Sequence, residues 1–382
     1  MTVEFRYAAL DDYGRISSFV DNYWAKDHVY VRLPKLFDWT FGRRGLWDRD
    51  GYSFALAEDK GEIVGILGGI PFSFNCFGKS SRGAWLANYM VRPDYRRGSV
   101  GIRLLNMFRR PPYETVVAFG VVPSAIPLYQ LLRWRILDDI PRHIMVLPEA
   151  EHRMARLLML ARPDWSEDRA AALVRFFRLT KTPVAVDETR LSAYLRNPPP
   201  DWDKHDWAAI SSHTVGGSRD LDYLTWRYIN HPVFDYRFIG VSEGSRTGLL
   251  VWRLETIRRA TLHGVVEVDR LGRVLEFLPA SARNAQQLLA VFTHELSEMK
   301  ALGADYYGYH SKTRRYLEEF GFRSTGAHPD GPFVPSRFQP LDQRCGQIRS
   351  AISVQDETPA CTFASDCSWY WTKSDADQDR PN

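Results

Sequence analysis

Apolar runs of strand length alternate along the chain with stretches whose apolar residues fall on a helical period. Residues 52–57 and 63–74 are two such runs around the polar turn 58–62, a pattern that predicts a β-hairpin. Residues 85–91 form another buried run, which Pro93 and Asp94 break. Ile102, Leu104, Leu105 and Phe108 then mark one face of a helix. A further buried strand is expected over 115–122, and a helix opens at Ala125 and continues through Leu131, Leu132 and Trp134. Ahead of these, Phe5 and its neighbours predict a short strand. A helix follows, capped near Asp11 or Asp12, with Ile16 and Phe19 on its buried side. Residues 151–179 are helical in pattern, rich in arginine and alanine and interrupted by Pro163, and the prolines of 197–200 mark a loop.

The pattern then recurs. Trp226 follows Trp39 by 187 residues, and Phe322 follows Trp134 by 188. Around them, Leu224-Thr-Trp-Arg-Tyr228 echoes Phe37-Asp-Trp-Thr-Phe41, the run from Gly248 echoes that from Gly65, and Tyr316 to Phe322 echoes Tyr129 to Trp134. Near-equal offsets over such a distance predict a duplicated unit. The expected organisation is a first domain over 1–150, a helical connector over 151–200, a second domain over 201–325 and a C-terminal extension over 326–382.

Composition narrows the function. The chain has 382 residues, 45% of them apolar and 13% aromatic, enough for two cores. Its net charge of +4 comes from scattered arginines with no dense basic run, which argues against nucleic acid and polybasic membrane contacts as partners. No apolar run approaches the ~20 residues a spanning helix needs, and the opening residues do not read as a signal peptide, so a cytoplasmic location is expected. Cys76, Cys345, Cys361 and Cys367 lack metal-ligand spacing and read as reduced and structural; no metal is expected. The pattern fits a monomer or a homodimer alike. The acidic end from Asp375 to Asn382 has the composition of a frayed tail, whereas Trp369-Tyr-Trp371 just before it argues that the tail docks, over the site on one reading.

The chemistry concentrates at Met90-Val-Arg-Pro-Asp-Tyr-Arg-Arg-Gly-Ser-Val-Gly101. Between a strand and a helix start, such a loop points backbone N–H groups and the positive end of a helix dipole at one spot. Gly98 and Gly101 remove side chains that would hold an anion away, and Arg96 and Arg97 add charge, making a diphosphate cradle. The stretch resembles the acyl-CoA pyrophosphate loop of the GNAT N-acyltransferase superfamily. Arg96 stands at the opening position, Ser99 where the first glycine is usual, and Gly101 at the second. Further along, Val122 replaces a usual asparagine and Arg133 a usual glycine, while Tyr129 matches directly. The resemblance implies an α/β (α+β) fold of two tandem GNAT-like domains, each a mixed central sheet flanked by helices. The second lacks the loop and is degenerate.

It also implies acyl-CoA, whether acetyl-CoA or a longer acyl-CoA, as cosubstrate, held by Met90, Val91, Arg96, Arg97, Gly98, Ser99, Val100, Gly101 and Ser124. An amine attacks the thioester directly, its carbonyl polarised by backbone N–H groups of a strand over 88–91 splayed from its neighbour. Tyr129 is the candidate acid for the leaving thiolate, or simply packs along the pantetheine channel. His28, beside Asp27 as orienting carboxylate, is the candidate base. Trp24, His231 and His310 are candidates for contact with the acceptor. The tandem design resembles enzymes that acylate nucleotide-linked deoxyamino sugars. Another small amine, aminoacyl-tRNA in a peptidoglycan-bridge type of transfer, and a non-catalytic CoA-binding protein are the alternatives.

Overall fold

A computed structural model describes residues 3–42, 45–180, 196–341, 348–354 and 368–381. The strands in chain order are β1 (Glu4–Tyr7), β2 (Phe54–Asp59), β3 (Glu62–Cys76), β4 (Lys79–Val91), β5 (Thr115–Phe119), β6 (Arg135–Leu137), β7 (Arg142–Val146), β8 (Val215–Gly217), β9 (Arg237–Glu243), β10 (Arg246–Thr261), β11 (Gly264–Leu278), β12 (Gly303–Tyr307), β13 (Arg323–Ser324), β14 (Ser350–Val354) and β15 (Trp369–Tyr370). They form two mixed sheets with helices against them, as the α/β (α+β) reading expects. The first runs β1-β2-β3-β4-β5-β14-β6, with β8 and β15 added beside β3. The second runs β9-β10-β11-β12-β7-β13.

The two sheets are not cut from consecutive chain. β7 leaves the first half to lie between β12 and β13, and β14 returns from the second half to lie between β5 and β6. Each half thus completes the other's sheet, and every described residue of both inserted strands except Ser353 and Val354 is buried. The correspondence goes down to register. In the first sheet β4 and β5 are parallel with Ala84 opposite Val116; 188 residues later Gly272 of β11 lies opposite Ala304 of β12, again parallel. Trp39 and Trp226 meet face to face, ring centroids 4.6 Å apart and 13° between planes. Each indole N–H donates to the other's backbone carbonyl, at 3.1 and 3.3 Å. The echo read in the sequence is a reciprocal contact between the halves.

Three local expectations differ from the structure. The strand feeding the loop is longer than the apolar run, because Lys79 to Arg82 continue it as the far arm of a hairpin with β3. Asp12 precedes the helix Tyr13–Tyr23 without capping it; Arg6 engages its carboxylate at 2.5 and 2.9 Å, which with Arg15 outcompetes a cap. Cys76 is disulfide-bonded, where the cysteines read as reduced. The C-terminal segment is docked: Trp369, Tyr370, Trp371, Asp375 and Asp379 are each no more than 2% exposed.

Candidate active site

The site grows from a fault in the first sheet. β4 and β5 pair only as far as Leu86 and Ala118. Asn88 then adopts φ +54°, a bulge that puts Asn88 and Tyr89 opposite Leu67 and twists β4 away. On the other side β5 ends at Gly120 (φ +78°), whose N–H and that of Val121 both donate to Arg349 O beside β14, at 2.8 and 2.9 Å. The strands separate into a V. Arg92 N–H bonds Val64 O at 2.9 Å, so by antiparallel alternation Tyr89 and Val91 present their N–H and C=O groups to the open side.

A cavity of about 240 Å³ occupies this split, lined by Leu86 to Tyr89, Phe119 to Val122, Tyr129, Trp24 and the tail residues Asp377, Gln378 and Arg380. Asn88 is 4% exposed, and neither atom of its amide has a partner among the described residues. A buried amide left this way costs about 1–3 kcal/mol, and this one lines the cavity. The resemblance implies a splay over 88–91 but gives the Asn88 amide no role, since nothing in an apolar run marks which residue bulges.

The loop sits at the strand's end. Met90 and Val91 close β4; Arg96 Nε donates to Val91 O at 2.9 Å, fixing its guanidinium beside the split. Arg97, Gly98 and Ser99 are exposed, and Val100 and Gly101 begin the helix Val100–Phe108. Its first N–H groups have no intrahelical acceptor and face the same side. Gly101 is required by close packing, since a Cβ there would lie 2.3 Å from Tyr89 Oη; at Gly98 a Cβ meets nothing nearer than Tyr95 O at 3.6 Å. Ser124 is exposed at the entrance to the helix Ile126–Leu131, which carries Tyr129 into the split. Burial raises the Tyr129 phenol's pKa, with Tyr89 adding to it, so Tyr129 keeps its proton. Arg133, in the usual glycine's place, takes the left-handed conformation itself (φ +58°), and its counterpart 188 residues on is Gly321.

The histidines are placed apart. His28 lies between Trp24 and Tyr30, with ring centroids 5.4 Å from each. Its Nδ1 accepts Tyr30 N–H at 3.3 Å as the cap of a short helix, and burial, with Arg380 next, holds its pKa down at about 4. Asp27 does not orient it: the Asp27 backbone is held by Asp21 and Arg32, and its φ is +54°. His231 Nδ1 accepts Phe234 N–H at 2.9 Å and Val233 N–H at 3.2 Å, under Trp39. His310 begins the helix Ser311–Phe320 in the second half, bonded to Thr313 at 3.0 Å and packed on Tyr370. Only His28 and Trp24 reach the neighbourhood of the split.

His231 sets a pH dependence of its own. Burial lowers its pKa to about 3. Between pH 6.5 and 3 the unfolded chain therefore binds a proton that the native state refuses, and stability falls as pH falls. From pH 6.5 to 5 this residue costs about 1.6 kcal/mol. His231→Asn, whose amide oxygen can take over the two N–H bonds, should flatten the denaturant-unfolding profile by that amount; a difference from wild type that is constant with pH would count against it.

In the second half the equivalent split is filled from within. β11 and β12 pair through Val274 and Tyr306 and then part. The tail runs into the gap: Tyr309 N–H donates to Trp371 O at 3.0 Å, and Tyr370 Oη accepts Phe277 N–H at 3.3 Å. Glu276, the counterpart of Asn88, is saturated by Arg219, Tyr228, Tyr370 and Ser374 at 2.6–2.9 Å. One half offers an open split with an unsatisfied amide, and the other has its own chain in that place.

A parallel pair that splays at a bulge, before a strand-loop-helix segment, is the arrangement of the GNAT fold. Residues 9–137, about a third of the chain, match the family model described as acetyltransferase (GNAT) domain. Among solved structures, the chain is similar to Saccharomyces cerevisiae N-myristoyltransferase with bound myristoyl-CoA, at 9% identity and TM-score 0.53 over 92% of this chain and 82% of that one. It is also similar to a GCN5-related N-acetyltransferase from Anabaena variabilis, at 10% identity and TM-score 0.52 over 93% and 73%. These likenesses are of fold and run across both halves. No curated protein matches by sequence. Among the described residues no helix is long and apolar enough to cross a membrane.

Proposed function

We propose that the protein is an acyl-CoA-dependent N-acyltransferase working in the cytoplasm, with acyl-CoA held by the first half alone. The observation that carries this reading is the open split, with its unpartnered Asn88 amide, leading to the 96–101 loop. In this reading the pyrophosphate lies on Arg96, Arg97 and the N–H groups from Gly98 to Gly101, with Ser124 at the edge, and the pantetheine arm lies between Met90–Val91 and Phe119. The thioester carbonyl accepts from the N–H groups of Tyr89 and Val91. A neutral amine attacks the carbonyl carbon; the N–C bond forms, the C–S bond breaks, and the amine's proton leaves to solvent.

Tyr129 donates a hydrogen bond to the departing thiolate. Its raised pKa keeps the donor protonated throughout, at the expense of full proton transfer. His28 is a poor base here, since its Nδ1 is engaged and its pKa is low; it serves with Trp24 as a wall on the acceptor's side. For the acceptor we favour a nucleotide-linked deoxyamino sugar. Trp24 is 39% exposed at the split, offering a ring face to a base or a sugar.

Release of free thiol from acetyl-CoA and longer acyl-CoAs, measured against nucleotide-linked amino sugars with polyamines, amino acids and aminoglycosides as controls, tests the reading. Release with an amino sugar supports both chemistry and acceptor, and release with a control alone replaces the acceptor. Silence throughout, in a protein that binds CoA, ends the transferase reading. Tyr129→Phe should lower turnover about tenfold to a hundredfold with little change in acyl-CoA affinity. An unaltered rate would leave Tyr129 a packing residue.

A further inference from the structure

A second cavity, of about 260 Å³, lies across the C-terminal segment from the split, and Gly120, Val122, Gln378 and Arg380 line both. Its other wall comes from the second half, where Arg253, Glu255 and Arg273 project from β10 and β11. At this wall Arg142, Arg253, Arg273 and Lys373 meet three carboxylates, Glu255, Asp305 and Asp379; Arg337 and Arg380 line the cavity as well, Arg380 paired with Asp377. The arginines account for all three. Arg253 binds Asp379 at 2.7 Å and also Glu255; Arg273 binds Asp305 through two 3.1 Å bonds and reaches Glu255 at 3.4 Å; Arg142 binds Asp305 at 2.8 Å.

Lys373 is the exception. It is 9% exposed and lines the cavity; among the described residues its ammonium makes no hydrogen bond or close ion pair, lying over the face of Tyr307 at 4.6 Å and feeling Asp305 and Asp379 only at longer range. Leaving an ammonium without a close anion at such depth is costly. Burial, with Arg273 next, lowers its pKa to about 7, so an anion arriving in the cavity would be met by a group ready to take up its proton. Gln378 and Arg380 of the tail stand between this cavity and the split.

We propose that this cavity binds an anionic group of the acceptor, a phosphate or a carboxylate, with Lys373 as its ion-pair partner. The inference rests on the acyl-transfer reading and adds how the acceptor is recognised: its amine enters the split while its acid is held beyond Gln378.

The test uses the full chain saturated with CoA, so that the loop is occupied. Inorganic phosphate and acetate are titrated by calorimetry into wild type, Lys373→Met and Lys373→Arg. Wild type should bind at least one of the two anions, Lys373→Met should weaken that affinity tenfold or more, and Lys373→Arg should restore it. Thermal unfolding guards against misfolding: with an unpaired buried charge removed, Lys373→Met should melt no lower than wild type. In the transfer assay, the KM advantage of glucosamine 6-phosphate over glucosamine should shrink tenfold or more in Lys373→Met. Neither anion binding to wild type, or equal affinity in wild type and Lys373→Met, overturns the inference. Acylation of neutral and acidic amines alike alongside that result leaves the transferase reading standing. Lysine-dependent anion binding without acylation of any amine does the reverse.

Discussion

A chain carrying both Arg96→Glu and Gly101→Val is expected to lose at least a hundredfold in acyl-CoA affinity while remaining folded. Two separate causes combine. The glutamate puts a negative charge where Arg96, fixed through Val91 O, now faces the split, and loss of a charge-assisted contact alone is worth about 1.5–3 kcal/mol. The valine cannot coexist with Tyr89 as it stands, because even a Cβ at residue 101 lies 2.3 Å from Tyr89 Oη; the ring moves, and the ring lines the split. Gly98→Ala is the informative companion. Its Cβ meets no protein atom closer than 3.6 Å, so a fall in affinity there with unchanged stability reports close approach of the ligand itself. Unchanged calorimetric affinity in the double variant would remove the loop from the cofactor site.

The second large effect concerns the tail. Asp379→Ala should destabilise the protein by about 3–5 kcal/mol, the range for breaking a buried ion pair from one side. Asp379 is 2% exposed and accepts three bonds from Arg253 at 2.7–3.2 Å and one from Tyr236 at 2.7 Å; the variant leaves both donors buried. Arg253 and Arg227 hold the Asp379 carboxylate far below the usual range despite its burial. A depressed carboxylate stabilises above its unfolded pKa and fails only as pH drops through its folded one, so the full difference is present at pH 7. Transfer should fall with stability, because Asp377, Gln378 and Arg380 wall the split. Denaturant unfolding at pH 7 showing a loss under 1 kcal/mol would mean the tail is not held as described.

How much of this was legible in the sequence follows from how local each signal is. The loop was legible, since strand, breaker, arginines, glycines and helix lie within some twenty residues. The Trp39–Trp226 correspondence was legible because duplication preserves spacing. The exchange of β7 and β14 was not: each is five residues, and a short buried strand carries no mark of which sheet it joins. Nor was the tail's role. Asp375 and Asp379 read as a solvated acidic end until Arg219, Arg227 and Arg253, more than a hundred residues earlier, are seen to meet it. The histidines misled for a related reason. His28 and His231 each accept backbone N–H groups two or three residues on, a local duty that residue type does not reveal. Asn88 was hidden in an apolar run, and only the bulge turns its amide into an unsatisfied group.

On the proposed function, one split takes acyl-CoA while the other is filled by the protein's own tail. Calorimetric titration of acetyl-CoA into the wild-type chain tests it directly. One molecule is expected to bind per chain, and none in the Arg96→Glu/Gly101→Val variant. Two molecules per chain, or one that persists in that variant, would contradict it.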